Sequence, residues 1–432
     1  MNTSLVWFKN DLRVEDQQSL SKAIASGNRV IGVYCFDPLL FEKDAYGFKK
    51  TEKYRAKFLI ETITELRESL SLLNIDLLLY HDNTSIVISE IIKKYTITDI
   101  FLQKEWTQEE ARMVSAIQKK TSGVTWHESY DQFLFHPEDI PYDAFSEIPN
   151  IFTIFRKECE KKATVQPVLA SIQSLPVSNK IENNTKIPTL QELGLDTFTV
   201  DTRTAFPYKG GELQAKKRIQ HYFWETEKLA FYKKTRNGLV GTDYSSKLSP
   251  WLANGSISAR QVYWEVKQFE KKIKKNQDTY WLIFELIWRD YFKYVSLTYG
   301  NAIFKIGGIL EKDYDWHSNK AALTLWIEGK TPYDFVNANM IELRETGWMS
   351  NRGRQNVASY WAKELKQDWR IGAAYFESLL IDYDVHSNWS NWMYNAGVGN
   401  DPRDRIFNIN GQAERYDAQG KFRKLWLQNQ LF

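Results

Sequence analysis

The hydrophobic period of this chain changes once, near residue 212, and that change limits the fold more than any other feature. From residue 1 to about 130, short β-branched and apolar runs alternate with longer stretches of helical period. Strands are predicted over 5–8, 30–36, 77–80, 100–103 and 124–128. Helices are predicted between them over 16–25, 51–73, 84–95 and 107–119, several opening on a Ser, Thr or Asp able to cap a first turn. With right-handed crossovers, such alternation builds a doubly wound sheet of five parallel strands, a Rossmann-like α/β domain over 1–130.

Beyond Glu212 the strand signal disappears. Long amphipathic runs at 215–233, 259–275, 278–298, 320–329 and 355–365 predict an all-α domain over 212–432. The stretch between, 131–211, is expected to be a connector. From about 163 to 210 its periodicity fades into Asn-rich and Ser-rich pieces broken by Pro167, Pro176, Pro188 and Pro207. Tryptophan follows the same divide, since 13 of the 16 lie beyond residue 200. Taken singly, most of these indoles are expected to fill the core. No repeat at a solenoid period is present.

Several function classes drop out on composition. The net charge is only +3, from 57 basic and 54 acidic residues, so affinity for a polyanion requires a local patch. The lysine doublets, among them Lys49-Lys50, Lys119-Lys120 and Lys274-Lys275, read mostly as solvated helix faces. Cys35 and Cys159 cannot make a disulfide framework, and a reducing cytoplasm is the expected compartment. The N-terminus carries no signal-peptide core, and no apolar run is long enough to cross a bilayer. A soluble monomer is expected. After the first strand stands Lys9-Asn10-Asp11-Leu12-Arg13 rather than Gly-x-Gly-x-x-Gly, so an ordinary NAD site is not predicted. The six histidines never approach a metal-ligand spacing, and no Gly-x-Ser-x-Gly or Cys/His arrangement suggests covalent hydrolysis.

Three segments of the helical half mix small polar donors with aromatics: Thr242 to Leu252, Trp288-Arg289-Asp290-Tyr291, and Thr346 to Gln355. A hydroxyl-rich turn feeding a helix start offers N–H and O–H donors to a phosphate, and it is equally what a capping loop looks like. A fourth segment, Asp382 to Trp392, packs two carboxylates, amides and two indoles into eleven positions. Its polar groups suit the edge of a flavin or a base, with Asp382 pairing to an arginine such as Arg354. A solvated loop with a buried ion pair is the alternative reading.

In this order and spacing, the segments resemble the photolyase and cryptochrome family over essentially the whole chain, from the Trp7 to Arg13 run to that of Arg403 to Asn408. The run Glu345 to Ser359, with Asn400-Asp401-Pro402-Arg403, is most similar to its DASH cryptochromes. The resemblance implies FAD in the helical domain. Tyr232 with Ser245, Ser246, Leu248 and Ser249 would hold its pyrophosphate and ribityl chain. Arg354 and Asp382 would pair beside the isoalloxazine, Asp384 would meet its polar edge, and Asn388 would face N5, with Asn351 also at the cofactor. Trp392, Trp369 and Trp316 match the family's electron-carrying tryptophans.

For substrate, the resemblance implies a cyclobutane pyrimidine dimer in DNA. Glu285 would bond its carbonyl edge, Trp288 would stack on it, Asn351 would lie beside it, and Arg352 would hold a flanking phosphate. Gln355 stands where duplex-repairing photolyases have methionine, and Tyr394 where they have tryptophan. Flipping a lesion out of a duplex costs a few kcal/mol, so a pocket with less stacking surface favours single-stranded DNA. The resemblance also admits a second chromophore in the N-terminal domain, a methenyltetrahydrofolate antenna near Gln108 and Glu109. The expected activity is therefore blue-light-driven, FAD-dependent dimer splitting in single strands, a carbon–carbon lyase reaction without net redox change. A photoreceptor that signals through flavin photoreduction is the second reading, and a flavin-free nucleotide binder the third.

Overall fold

The computed structural model describes residues 2–401 and 403–428. Strands β1 (Thr3–Trp7), β2 (Arg29–Cys35), β3 (Leu77–Tyr80), β4 (Ile97–Gln103) and β5 (Thr125–Ser129) form one parallel sheet ordered β3-β2-β1-β4-β5. The crossovers run through α1 (Gln18–Ala25), α2 (Lys53–Leu72), α3 (Thr84–Lys94) and α4 (Gln108–Lys120). Alternate residues of a strand point to opposite faces. Val6 accordingly packs with Leu20 of α1 and Leu66 of α2, while Leu5 and Trp7 pack with Ile88 of α3 and Ile117 of α4. Two helices on each face bury every residue of the central strand.

In a doubly wound sheet, ligands enter at the crevice where strand order reverses, here between the ends of β1 and β4. The helical half fills that crevice. Trp106, just past β4, donates its indole N–H to Ser296 Oγ at 2.7 Å. Gly255 sits so close that a Cβ there would lie 2.1 Å from the Asn10 carbonyl oxygen. This explains physically why no glycine-rich phosphate loop follows β1. Below the contact, Arg13 and Arg260 share Asp131, and Arg260 also pairs with Asp16 at 2.9 Å, all four buried. Each charge has a partner from another segment, so breaking one pair would leave an uncompensated buried charge.

The segment expected to connect the halves divides in two. Phe133, Leu134, Phe135 and, from α5 (Phe152–Lys162), Phe152, Phe155 and Cys159 belong to the core of the helical half. Residues 163–210 contain no α-helix or strand; Val165, Ala205 and Phe206 pack into the helical half, while Ile172 to Leu195 run over the sheet domain. There Asn183 Nδ2 donates to the Leu77 carbonyl and Thr185 Oγ1 accepts from Leu79 N–H, so side chains satisfy edge strand β3, which would otherwise invite another strand.

The helical half continues with α6 (Glu212–Ile219), α7 (Tyr232–Thr235), α8 (Ser249–Ala253), α9 (Ala259–Lys272), α10 (Gln277–Tyr299) and α11 (Lys320–Glu328). It ends with α12 (Asp334–Thr346), α13 (Asn351–Ser359), α14 (Trp369–Leu379), α15 (Val385–Ala396), α16 (Ile409–Tyr416) and α17 (Lys421–Leu427). Two predicted helices differ. The run expected at 215–233 is broken by a π turn over Gln220–Glu225 and by Glu227 at φ +48°, a backbone state that helices do not propagate. The helix expected at 355–365 starts one turn earlier, because Ser350 accepts from Gly353 N–H at 3.0 Å and caps it at Asn351.

Candidate active site

The helical half holds a cleft between the start of α13, the end of α14 and the start of α15. Its lining includes Asn351, Arg354, Gln355, Asp382, Asp384, Asn388 and Trp392. Two helix caps aim these groups. Ser350 starts α13, and Asp384 starts α15 by accepting Ser387 N–H on Oδ1 at 2.8 Å. Asp384, Asn388 and Trp392 then recur at i, i+4 and i+8, which places them on one helix face. Asn388 is held by donating Nδ2–H to the Ala373 carbonyl of α14 at 3.0 Å. Trp392 lies so close to α14 that a Cβ on Gly372 would come within 2.3 Å of its ring.

Arg354 Nη2 lies 2.9 Å from both oxygens of Asp382, and Nε donates to the Met349 carbonyl. Asp384 has a different environment. Its Oδ2 lies 2.9 Å from the Lys293 ammonium of α10. Burial pushes this carboxyl up, but Lys293, then His386 and Arg289, outweigh burial and hold it well below the usual carboxylate range. His386 itself is buried and held well below the ordinary histidine value, first by burial and then by Lys293. Its Nδ1 meets Ser296 Oγ at 2.7 Å.

The hydroxyl-rich turn is gathered from behind by Arg218 of α6. Its guanidinium donates to the carbonyls of Thr242, Ser245 and Ser246 and pairs with Asp243 at 2.7 Å. With its carbonyls turned to Arg218, the turn offers N–H and O–H groups on its other side, and Leu248 and Ser249 lead into α8. Tyr232 is buried beside Arg236 and Glu285, and burial first, then Glu285, pushes its phenol well up.

The remaining predicted residues do not line the cleft. Glu285 and Trp288 lie three apart on one face of α10, both half-buried. Arg236 Nη1 lies 2.6 Å from Glu285 Oε1. Trp288 stacks on Phe152 at 3.6 Å between ring centroids and meets Tyr394 edge-on at 6.1 Å. Arg352 donates to Gln355 Oε1 at 2.8 Å and lies over the Tyr416 ring. Tyr394 accepts from Arg405 at 2.7 Å. Trp369 donates its indole N–H to the Ile306 carbonyl and neighbours Trp389 at 5.8 Å, while Trp316 packs against Tyr314 at 5.5 Å.

A second pocket, about 950 Å³ and open to solvent, lies at the junction of the halves between Trp106, Gln108, Arg112 and Lys119 on one side and Gly300 and Asn301 on the other. Glu109 is not in its lining and pairs instead with Lys50. The two expected antenna residues therefore face apart, because successive positions on a helix do not share a face.

Two family models cover most of the chain: DNA photolyase over residues 4–176, and the FAD binding domain of DNA photolyase over 281–430. A cryptochrome DASH of Gloeobacter violaceus is 44% identical over 428 residues, spanning 98% of this chain and 85% of that protein. One of Xenopus laevis is 43% identical over 426 residues, spanning 97% of this chain and 81% of that protein. The chain belongs to the photolyase and cryptochrome family. The crystal structure of the Synechocystis sp. PCC6803 cryptochrome, 44% identical, superposes with a TM-score of 0.95 over 99% of this chain and 89% of that one. A bacterial class III photolyase from Agrobacterium tumefaciens, 24% identical, shares the fold with a TM-score of 0.82.

FAD is thus the cofactor of this photolyase/cryptochrome chain, and the residues present fit it. The cleft joins an ion pair, an ionised carboxylate, carboxamides and an indole, the mix of acceptors, donors and apolar surface that a flavin ring requires. Among residues that the sequence reading did not single out, Arg218, Lys293 and Arg236 touch predicted site residues directly. Each lies far along the chain from its partner, and no spacing rule connects them.

Proposed function

We propose that this protein is a blue-light-driven photolyase of the DASH cryptochrome type that splits cyclobutane pyrimidine dimers, preferentially in single-stranded DNA. Bound FAD supplies light absorption and a transferable electron, returned when the dimer has opened. The Arg354–Asp382 pair and the Asp384 carboxylate fix the polar side of the ring, and the turn over Ser245 to Ser249 takes the phosphates. Glu285 meets the carbonyl edge of the lesion, Trp288 stacks on it, and Arg352 takes a flanking phosphate. Trp392, Trp369 and Trp316 feed electrons inward.

The observation that carries this reading is the polar pairing at the two positions that depart from duplex-repairing photolyases. Gln355, in the lining of the cleft, is engaged by Arg352, and the Tyr394 hydroxyl by Arg405, so each carries a tied polar group where those relatives have an apolar one. Base stacking is worth roughly 1–3 kcal/mol per base in single-strand binding, the same order as the cost of flipping, so a loss of apolar surface there favours lesions already unpaired. For the antenna, the junction pocket is the better match than Glu109: Trp106 offers a ring face, and Arg112 and Lys119 suit the carboxylates of a methenyltetrahydrofolate.

The test is light-dependent loss of dimers from a single-stranded oligonucleotide by the purified, photoreduced protein, with a dark control. Repair in the light alone supports the proposal, and Glu285→Gln should then lose most of it. No loss in the light would leave the photoreceptor as the better reading.

A further inference from the structure

Lys293 lies in the C-terminal half of α10 with 3% of its side chain exposed. Its ammonium meets Oδ2 of Asp384 at 2.9 Å, while Oδ1 of the same carboxylate takes Ser387 N–H at 2.8 Å. One oxygen is thus held by α10 and the other by the first turn of α15, and two anchors from two elements fix the carboxylate plane. A bare ammonium in an interior costs several kcal/mol, so its placement against one carboxylate at the cofactor cleft calls for a reason beyond packing.

The charged groups facing this pair come from three elements. Arg289 belongs to α10, His386 to α15, and Glu105 to the segment following β4 in the sheet domain. Glu105 is half-buried, pushed up to about 7 by its desolvation, and faces Lys9, Glu110 and Lys293. Burial lowers the Lys293 ammonium, and Asp384 is the first group to oppose that. Lys293 is therefore the cation between an acid of the sheet domain and the acid that lines the cleft.

The pyrimidine edge of an isoalloxazine carries one N–H donor between two carbonyl acceptors. An ionised carboxylate accepts from that donor, whereas a protonated carboxyl would offer a hydroxyl where an acceptor is needed. We propose that Lys293 is a positioning residue for the cofactor, holding the Asp384 carboxylate as a fixed acceptor at the polar edge of the bound flavin. The inference rests on the reading that Asp384 faces that edge. Without the ammonium, the carboxylate loses its nearest counter-charge, and burial, the largest influence on it, carries its titration above the ordinary carboxylate range.

The experiment uses the flavin-loaded protein and follows the midpoint potential of the flavin against pH, together with the infrared band of protonated carboxylic acids. Wild type and Lys293→Arg should show no inflection from this carboxyl between about pH 5 and 9. Lys293→Met should gain an inflection and a new acid band in that range, and both should vanish in Lys293→Met/Asp384→Asn. If Lys293→Met does not fold, Lys293→Gln, which keeps a polar head without the charge, is measured in the same way. A flat profile without the acid band in the neutral variant, while Asp384→Asn alone shifts the potential, would overturn the positioning role and leave the site reading intact. An Asp384→Asn variant whose potential and flavin spectrum match wild type would instead remove the site reading on which the inference rests.

Discussion

The two pockets are built in opposite ways. The cleft of the helical half is lined entirely from residues 351–395, one stretch of chain, with Ser350, Asp382 and Asn388 buried and Arg354 and Asp384 half-buried. The junction pocket is assembled from both halves and lined by exposed groups such as Arg112, Lys119 and Asn301. The difference teaches where substitution should hurt. In the cleft, Arg354, Asp384 and Asn388 are each fixed by a partner whose loss leaves them stranded, while at the junction water can replace what is removed.

The largest contrast should come from ion pairs. Asp382→Ala leaves the half-buried Arg354 without its buried partner, and losing a charge-assisted hydrogen-bonded partner of this kind costs about 1.5–3 kcal/mol. Denaturant unfolding should show the loss, and the preparation should be colourless. Glu109→Ala, which breaks a solvent-exposed pair with Lys50, should cost less than about 1 kcal/mol and keep the flavin. Equal losses would break the comparison.

Packing should give the next effect. A methyl on Gly372 meets the Trp392 ring at 2.3 Å, and overpacking of this kind costs about 1–3 kcal/mol. Gly372→Ala should also slow photoreduction of the flavin by displacing that indole. Near the junction pocket, a Cβ at Gly300 has nothing within 4 Å, so only the strain of its positive φ remains there.

A pH effect follows from Glu342 of α12. Burial pushes it up to about 8, opposed by Lys247 and Arg354. The folded chain therefore keeps a proton that the unfolded chain releases near about pH 4.3. Its contribution is complete below that value and is lost as pH rises through about 8. Glu342→Gln should flatten the fall in stability between about pH 5 and 8, measured by urea unfolding. The smallest effect should be at Gln108: Gln108→Ala should weaken binding of added methenyltetrahydrofolate, read by fluorescence, and leave flavin content unchanged.

The sheet was legible because strands and crossover helices have different periods, and the structure places all five strands within a few residues of expectation. Helices α12, α14 and α15 went unread for the opposite reason. Ten of the thirteen residues of α12 are buried, so it has no polar face and no amphipathic period to detect. The cleft was visible only as local runs. Motif order brought Arg354 together with Asp382 across 28 positions, but nothing in the pattern ties Lys293 to Asp384 or Arg218 to the Ser245 turn. Those contacts are set by how α10 and α6 pack, which is a property of the assembled core. Likewise, Trp326 and Trp361 neighbour Trp392 through space, at 6.2 Å and then 4.9 Å, with no shared period along the chain.

The most direct test of the account is the ratio of light-driven dimer repair in single-stranded and duplex oligonucleotides of one sequence. It should be measured for the wild type and for Gln355→Met/Tyr394→Trp. The account predicts repair confined largely to the single strand in the wild type, and a narrower gap in the double variant as apolar stacking surface returns. Equal repair of both substrates by the wild type, or light-driven repair of neither, would contradict it.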